Sequence, residues 1–340
     1  MPPATYRLLN RSDDEAIVRV LDSTPVPGLA TLTYTTRPSY FAAHDETSEE
    51  HVTLGAFMDD TLVGFAGLSV QRRMVNGTPL RVGYLSGLRV LPAYRGRGIV
   101  SAGMPLLKRA LDELAVPFCL ASIIDGNGPM NTIAKKRKEG YPRFEPIGRI
   151  TTKLLWPRTA HHPYTITPMS DRDRTEVRLF LEREGARKNL SPTRLRGSVL
   201  IARHSGTIVG VIGLWDQTPF KQTIIEAYRL PLLVRAFNLW HSRRGVRLPE
   251  TGTTLRFRYV TNVSITDDDP DVLDALVSHA WSRDKERDLL AIGLDQRDPL
   301  LKTLTRYRGM TYTSTLYHVS WKHAHPLPRS GIMYPEVALL

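Results

Sequence analysis

One eight-residue pattern occurs twice in this chain and constrains its fold more than any other feature. Thr61 to Leu68 reads Thr-Leu-Val-Gly-Phe-Ala-Gly-Leu, and Thr207 to Leu214 reads Thr-Ile-Val-Gly-Val-Ile-Gly-Leu. Five positions are identical, and the other three exchange one apolar residue for another. Each copy follows a strand-like run and a turn, so both are predicted to be the second arm of a β-hairpin.

The sequences around the two hairpins also begin and end alike. Tyr6 and Tyr164 each open a short strand-like run that meets a Ser-Asp pair, which is typical of a helix start. Each half ends in a strand-like run that follows a glycine and leads to a tryptophan, Trp156 or Trp321. We therefore predict an α/β (α+β) protein of two tandem units. Each unit is a mixed, largely antiparallel twisted sheet flanked by helices.

The length of 340 residues agrees with two domains at about 150 residues each. The predicted boundaries are a first domain over 1–156, a linker over 157–163, a second domain over 164–322 and a tail over 323–340. No apolar run approaches the ~20 residues of a membrane span, and the N-terminus lacks a signal-peptide core. We expect a cytoplasmic protein with no membrane partner, and the single Cys119 excludes intrachain disulfides.

The strongest functional signal is a glycine-arginine loop in the first unit. The strand-like run Val82 to Leu91 precedes it, and an amphipathic run, Ile99 to Leu114, follows it. A strand, a glycine-rich turn and a helix in this order direct backbone N–H groups towards a phosphate. Arg95 and Arg97 add positive charge at the same place, so the loop is predicted to hold a pyrophosphate.

This order of elements, with Val90-Leu91-Pro92 followed by Arg95-x-x-Gly98, resembles the GNAT superfamily of acyl-CoA-dependent N-acetyltransferases. The resemblance covers residues 6–156 at the level of motifs and the second half only in architecture, as in tandem GNAT proteins. The family loop has the form Gln/Arg-x-x-Gly-x-Gly/Ala, and this chain departs from it at Val100. The resemblance implies that acetyl-CoA is the acyl donor.

The same resemblance assigns the donor site. Backbone N–H groups of the loop would hold the pyrophosphate, and the splayed strand before it would pair with the pantetheine arm and polarise the thioester carbonyl, a contribution of ~3 kcal/mol per donor. Asn131 lies at a family position for a pantetheine contact, and Asn127 is equally well explained as a turn residue. The implied donor-site residues are Leu88, Val90, Arg95, Gly96, Arg97, Gly98, Ile99, Val100, Asn127 and Asn131.

Catalytic groups are harder to find. The tyrosine that donates a proton to the thiolate in many GNAT enzymes is missing at its usual place, where Lys136 or Lys138 stands. Tyr84 and Ser86 could hold a water that accepts the proton of the amine. The resemblance to tandem aminoglycoside acetyltransferases suggests the C-terminal carboxylate of Leu340 as a base.

The acceptor site is expected in the region between the first two helices, 29–44. Its aromatic residues and one cation suit a flat or anionic small molecule, although core packing explains Tyr40 and Phe41 as well. The candidate acceptor residues are Tyr34, Arg37, Tyr40 and Phe41.

The second half has lost the glycine loop. In its place stands Ser264 to Asp271, with four carboxylates and no glycine. These carboxylates would repel a phosphate. We therefore expect this half to bind no acyl-CoA and to form one wall of the acceptor site. Asp269 or Asp271 instead suits a helix N-cap. His161, His162, His318, His323 and His325 fit no common metal spacing, and no metal is expected.

The sequence therefore predicts an acetyltransferase that acts on the primary amine of a small molecule in a ternary complex. Two alternatives stay open: a protein N-acetyltransferase, and a non-catalytic GNAT scaffold that binds coenzyme A, nucleic acid or a protein. The net charge of +12 motivates a nucleic-acid partner, but no RNA-stacking motif is visible and the charge is spread along the chain. The sequence leaves the oligomeric state open.

Overall fold

A computed structural model describes residues 4–241, 248–282, 289–321 and 331–340. The strands are β1 Thr5–Leu8, β2 Ala30–Thr35, β3 Glu50–Met58, β4 Thr61–Val75, β5 Thr78–Val90, β6 Cys119–Ile124, β7 Arg143–Leu155, β8 Thr165–Pro168, β9 Ser198–His204, β10 Thr207–Asp216, β11 Gln222–Tyr228, β12 Phe257–Ile265, β13 Leu289–Asp295 and β14 Gly309–Ser320. The helices are α1 Asp14–Asp22, α2 Tyr40–Thr47, α3 Ile99–Glu113, α4 Gly128–Lys135, α5 Arg174–Gly185, α6 Pro231–His241, α7 Pro270–Ser282 and α8 Leu301–Thr305.

Twelve of the described strands form one continuous mixed sheet in the order β1-β3-β4-β5-β6-β14-β7-β13-β12-β10-β9-β8. Read inwards from either edge, the two halves of the sheet have matching orders, which confirms the predicted duplication. The last strands are exchanged between the halves. β14 pairs with β6 of the first unit, and β7 pairs with β13 of the second. The domain boundaries 1–156 and 164–322 stay predictions, because the sheet crosses them.

Both predicted hairpins form, and their turns explain the repeated sequence pattern. The two turn residues have positive φ in each case, at 45° and 61° for Asp59-Asp60 and 48° and 84° for Ser205-Gly206. Two-residue turns of this kind match the twist of the paired strands. The same geometry recurs at Asn76-Gly77 between β4 and β5.

The helices of the first unit lie on opposite faces of the sheet. Leu62 of β4 packs with α1, whereas the next residue, Val63, packs with Ile99 of α3. This alternation is that of a strand covered on both faces. The predicted helix to about Leu114 is confirmed, and α3 runs through Pro105 without ending.

The segment between α1 and α2 contains a strand that the sequence analysis does not include. Ala30–Thr35 forms β2, which pairs with β11 of the second half. This partner lies about 190 residues away in sequence, so no local pattern selected it. The chain leaving β7 is also packed against the second half, where Arg158 Nη1 donates to Asp274 Oδ1 of α7 at 2.7 Å.

Candidate active site

A β-bulge in β5 opens the sheet of the first unit. Between the paired positions Gly67↔Ser86 and Phe65↔Arg89, one residue of β4 faces two residues of β5. The extra residue is accommodated at Gly87, whose φ of 66° favours glycine. β5 and its parallel neighbour β6 share two paired positions, ending at Tyr84↔Leu120, and then diverge. The divergence leaves a cleft between the two strands.

A cavity of about 460 Å³ occupies this cleft. It is lined from the face of α3 and α4 and also from the opposite face, where α2, β2, β11 and the C-terminal residues lie. Both halves of the chain therefore contribute to one cavity. The predicted site residues that line it are Tyr34, Tyr40, Tyr84, Ser86, Leu88, Val90, Ile99, Val100, Asn127 and Leu340.

The glycine loop stands at the start of α3, as predicted. Gly96 and Gly98 both have φ of 77°, and a Cβ at either position would meet no atom within 4 Å. Gly98 is the N-cap of α3, so the first N–H groups of that helix have no partners within the helix. Arg95 Nε donates to Val90 O at 3.1 Å, and the Arg97 guanidinium lies over the Tyr94 ring. Open space and unused N–H donors fit a pyrophosphate.

The two asparagines are placed differently from each other. Asn127 Oδ1 accepts from Met130 N at 3.2 Å, so this side chain caps α4 while it lines the cavity. Asn131 lies on α4 and is absent from the cavity lining. Cap formation is the turn role that the sequence left open for Asn127.

The second half repeats the bulge at the equivalent place. One residue of β10 faces Asn262 and Val263 of β12, and Asn262 has φ of 49°. Here the chain's own C-terminal segment fills the cleft. Glu336 Oε2 accepts from Asn262 N at 2.7 Å, and Tyr334 Oη accepts from Val263 N at 3.0 Å. The equivalent backbone positions in the first unit are Gly87 and Leu88, at the cavity.

Two glutamines fix the end of this segment. Its residues 331–340 are the described part of the predicted tail, and the name tail refers to them from here on. Gln71 Nε2 donates to Leu339 O at 3.0 Å, and Gln217 Nε2 donates to Ala338 O at 2.8 Å. The glutamines are 146 residues apart, the same offset as the repeated hairpins. Equivalent positions of the duplicated unit therefore hold consecutive carbonyls and bring Leu340 to the cavity wall.

Two half-buried histidines lie beside the cavity. The rings of His44 and His51 stack with centroids 3.5 Å apart, and His51 Nδ1 and Ser69 Oγ are 2.8 Å apart. Burial, with the charge of Lys221, lowers the pKa of His51 to about 3 and that of His44 well below its usual value. Both rings are neutral at physiological pH.

Two cations line the cavity without an acidic side chain beside them. Arg89 Nε is buried and has no hydrogen-bond partner among the described residues. In the same described part of the chain, no ion pair engages the Lys221 ammonium, and burial lowers its pKa to about 8. No Asp or Glu lines the cavity as far as the structure describes the chain, and the carboxylate of Leu340 is its one acidic group there.

The remaining predicted acceptor residues lie elsewhere. The guanidinium of Arg37 pairs with Asp22 at the surface, and its backbone is bonded by Gln222. Phe41 packs against the core around α1, which agrees with the alternative prediction of core packing. Sequence reasoning missed Arg89, Lys221 and the two glutamines, although the 146-residue offset pointed to the glutamines.

Two of the predicted catalytic residues, Tyr84 and Ser86, have different surroundings on β5. Tyr84 is buried, and burial raises the pKa of its hydroxyl, which bonds the backbone of Ser122. Ser86 lies on β5 directly before the bulge. Tyr141 lies close in sequence to Lys138, near the place where many GNAT enzymes carry the proton-donating tyrosine. Its hydroxyl forms a hydrogen bond with Ser101 of α3.

The described ranges hold neither a metal-ligand cluster nor a membrane-spanning helix. No cluster of three or more His, Cys, Asp or Glu residues there has metal-binding geometry. His323 and His325 lie outside the described residues. No helix within those ranges is both long and apolar enough to cross a membrane.

The fold is of the GNAT type, in two tandem copies. Residues 18–120 match the family described as "Acetyltransferase (GNAT) family". The match lies within the first unit, and the duplicated sheet is consistent with a protein of the GNAT superfamily. None of the curated proteins matches it.

Solved structures share this fold at low sequence identity. N-myristoyltransferase of Saccharomyces cerevisiae with bound myristoyl-CoA superposes with a TM-score of 0.61 at 11% identity, covering 96% of this chain and 84% of that one. A probable N-acyltransferase from Enterococcus faecalis V583 gives 0.52 at 11%, covering 94% and 73%. A GCN5-related N-acetyltransferase from Anabaena variabilis gives 0.52 at 9%, with the same coverage. At these identities the likeness concerns the fold alone.

Proposed function

We propose that the first unit transfers an acetyl group from acetyl-CoA to the primary amine of a small molecule, with both substrates bound together. The observation that carries this proposal is the single cavity through the cleft between β5 and β6. Ile99 and Val100, which directly follow the glycine loop at the start of α3, line one face of that cavity, and Leu340 lies in its wall. A donor entering from the first face and an acceptor from the second would meet at the bulge.

The backbone at the bulge suits the developing charge of the reaction. Gly87 and Leu88 are equivalent to Asn262 and Val263, whose N–H groups bind oxygen atoms of the tail. The same donors in the first unit are proposed to bind the thioester carbonyl oxygen as it becomes an oxyanion. One such donor is typically worth ~3 kcal/mol of transition-state stabilisation.

The C-terminal carboxylate of Leu340 is proposed as the base. The acceptor loses an ammonium proton to this carboxylate, and the free amine forms the new C–N bond. The C–S bond to coenzyme A then breaks, and the second proton of the attacking nitrogen passes to the departing thiolate, which leaves as the thiol. Neutral His44 is the weaker base, because its pKa lies far below the working pH. Tyr84 and Ser86 stay candidates for orienting the amine or its water. The thiolate can leave without a dedicated acid.

The charges on the acceptor side favour an amine that also carries an anionic group. Arg89 and Lys221 offer two cations, whereas a polyamine or aminoglycoside would meet no acidic side chain among the described lining residues. Desolvated cations without partners are costly, and a bound carboxylate or phosphate would offset that cost. Tyr34 and Tyr40 would border the same ligand.

Calorimetric titration with acetyl-CoA and desulfo-coenzyme A tests the donor site. We expect one-to-one micromolar binding and its loss in Gly98→Asp, which brings a negative charge to the phosphate site. Gly206→Asp is the matched control, because Gly206 also has positive φ and open space around it but lies in the β9–β10 turn. Its affinity should equal that of the unmodified chain.

Two results would contradict the proposal. Unchanged affinity in Gly98→Asp would mean that the loop does not bind the donor. Stronger binding of octanoyl-CoA or myristoyl-CoA than of acetyl-CoA would mean that the donor carries a longer acyl group than acetyl. Turnover is then measured as free thiol released in the presence of a panel of amines.

A further inference from the structure

Helix α6 presents an apolar face to solvent. The side chains of Leu232, Leu233 and Trp240 are 75%, 63% and 80% exposed. In a helix these positions fall within one arc of the surface, together with Ala236. Isolated exposed leucines are ordinary, but a helix whose outer arc is apolar is a mark of an interaction surface.

The opposite side of α6 holds it to the body of the protein. The Phe237 ring lies 5.3 Å from the Trp156 ring, centroid to centroid. Asn238 Nδ2 donates to Leu248 O at 2.9 Å, and Asn238 Oδ1 accepts from Leu248 N at 2.8 Å. The apolar arc therefore faces outwards because the helix is anchored through its other side.

The exposed apolar surface continues beyond the helix. Leu230, just before α6, is 53% exposed, and Leu29 is 81% exposed. Arg229 N donates to Leu29 O at 2.9 Å, which brings the two segments together. We call the surface formed by Leu29, Leu230, Leu232, Leu233 and Trp240 the leucine face.

The sequence that contains most of the leucine face is rich in arginine. In sequence, the stretch from Arg229 to Arg256 contains six arginines and one carboxylate, Glu250. Arg235, within α6, is exposed. A helix with leucines and tryptophan on one arc and arginines beside it suits the interface of an anionic bilayer, where apolar side chains enter the acyl boundary and arginines reach phosphate groups.

We propose that the leucine face docks on an anionic membrane surface, with α6 lying in the plane of the interface. A second copy of this chain fits less well, because a two-fold contact would bring the same arginines together. This is peripheral binding, distinct from a membrane span, and it differs from the expectation of no membrane partner. It does not depend on the proposed acyl transfer.

Vesicle sedimentation with the full chain tests the proposal. Vesicles of phosphatidylcholine with phosphatidylglycerol should sediment the protein, and pure phosphatidylcholine should sediment much less. We expect Leu232→Glu combined with Trp240→Glu to weaken the partition at least tenfold, because each substitution removes an apolar side chain that would enter the acyl boundary. Leu179→Glu on α5 is the control, because Leu179 is 56% exposed. Its binding should not change.

Arg235→Glu adds a second, independent variant. It should weaken binding to the anionic vesicles and leave binding to phosphatidylcholine alone unchanged. Thermal unfolding of every variant checks that the fold is kept. The proposal is overturned if the protein ignores anionic vesicles, if the double variant binds as well as the unmodified chain, or if light scattering finds a dimer that Leu232→Glu abolishes.

Discussion

Lys221 is the residue whose surroundings differ most clearly from those of a lysine in a packed core. Its ammonium lies in a cavity shared with Arg89, and burial brings its pKa down to about 8. A lysine in an ordinary core would have a carboxylate partner, as Lys188 has in Asp268 and Asp298. The contrast within one chain is between a lysine paired with carboxylates by the fold and one with no acidic partner among the described residues.

Replacing Lys221 should change recognition of the acceptor and leave the donor site intact. With a panel of amino acids and their amides as acceptors, Lys221→Met should lower kcat/KM for the acids by about tenfold to a hundredfold, the worth of a charge-assisted hydrogen bond. The amides should lose little. Acetyl-CoA affinity, measured by calorimetry, should be unchanged.

The pH dependence provides the control for this substitution. Lys221 is charged below pH about 8 and loses its proton above it, so acid acceptors should bind more weakly as pH rises through that value. Lys221→Arg keeps its charge at high pH and should remove this decline. Equal preference for acids and amides in the unmodified chain would contradict an anionic acceptor.

At the scale of elements, the tail has two roles that the sequence could not separate. Its middle part, through Tyr334 and Glu336, fills the cleft of the second unit. Its last residues reach the cavity of the first unit, held by Gln71 and Gln217. One short segment therefore fills the cleft of the second unit and brings Leu340 to the cavity of the first unit.

Moving the terminal carboxylate should reduce catalysis without affecting donor binding. Adding one glycine after Leu340 shifts the carboxylate by about 3.8 Å along the chain. We expect kcat to fall by at least about a hundredfold, in the range of lost general-base catalysis, while calorimetric affinity for acetyl-CoA stays the same.

Leu340→Ala is the matched variant, because it trims the side chain and keeps the carboxylate in place. It should retain most of kcat. A glycine-extended enzyme with full kcat would exclude the carboxylate as the base.

Local patterns were sufficient for most elements of the first unit. Alternation and turn residues indicated the β3–β4 and β9–β10 hairpins, and the glycine loop indicated the start of α3. β2 was missed because its pairing partner β11 lies in the other half. The bulge at Gly87 was missed too, because an extra residue in a strand becomes visible only when its neighbour is aligned beside it.

At the scale of the whole molecule, strand exchange binds the two halves into one sheet. β14 pairs with β7 from Gly309↔Leu155 to Ser320↔Arg143 and also pairs with β6. A chain ending at residue 156 would leave the edges of both β6 and β7 uncovered. Exposed edges of that length promote aggregation.

Cutting the chain between His161 and His162 tests this dependence. Fragments 1–161 and 162–340 produced together should copurify and unfold in one transition, because each supplies a strand to the sheet of the other. Fragment 1–156 produced alone should aggregate and bind no acetyl-CoA. A soluble, cooperatively folding fragment 1–156 with full donor affinity would show that the exchange is dispensable.

The sequence by itself determined the duplicated unit, the hairpins and the place of the glycine loop, because each is encoded within a short stretch of chain. Only the tertiary structure decided that Tyr34, Arg89, Lys221 and Leu340 border one cavity. These residues come from distant segments, and their meeting depends on the exchanged strands, the β2–β11 pairing and the path of the tail. Long-range pairing of this kind leaves no periodic signal in a single sequence.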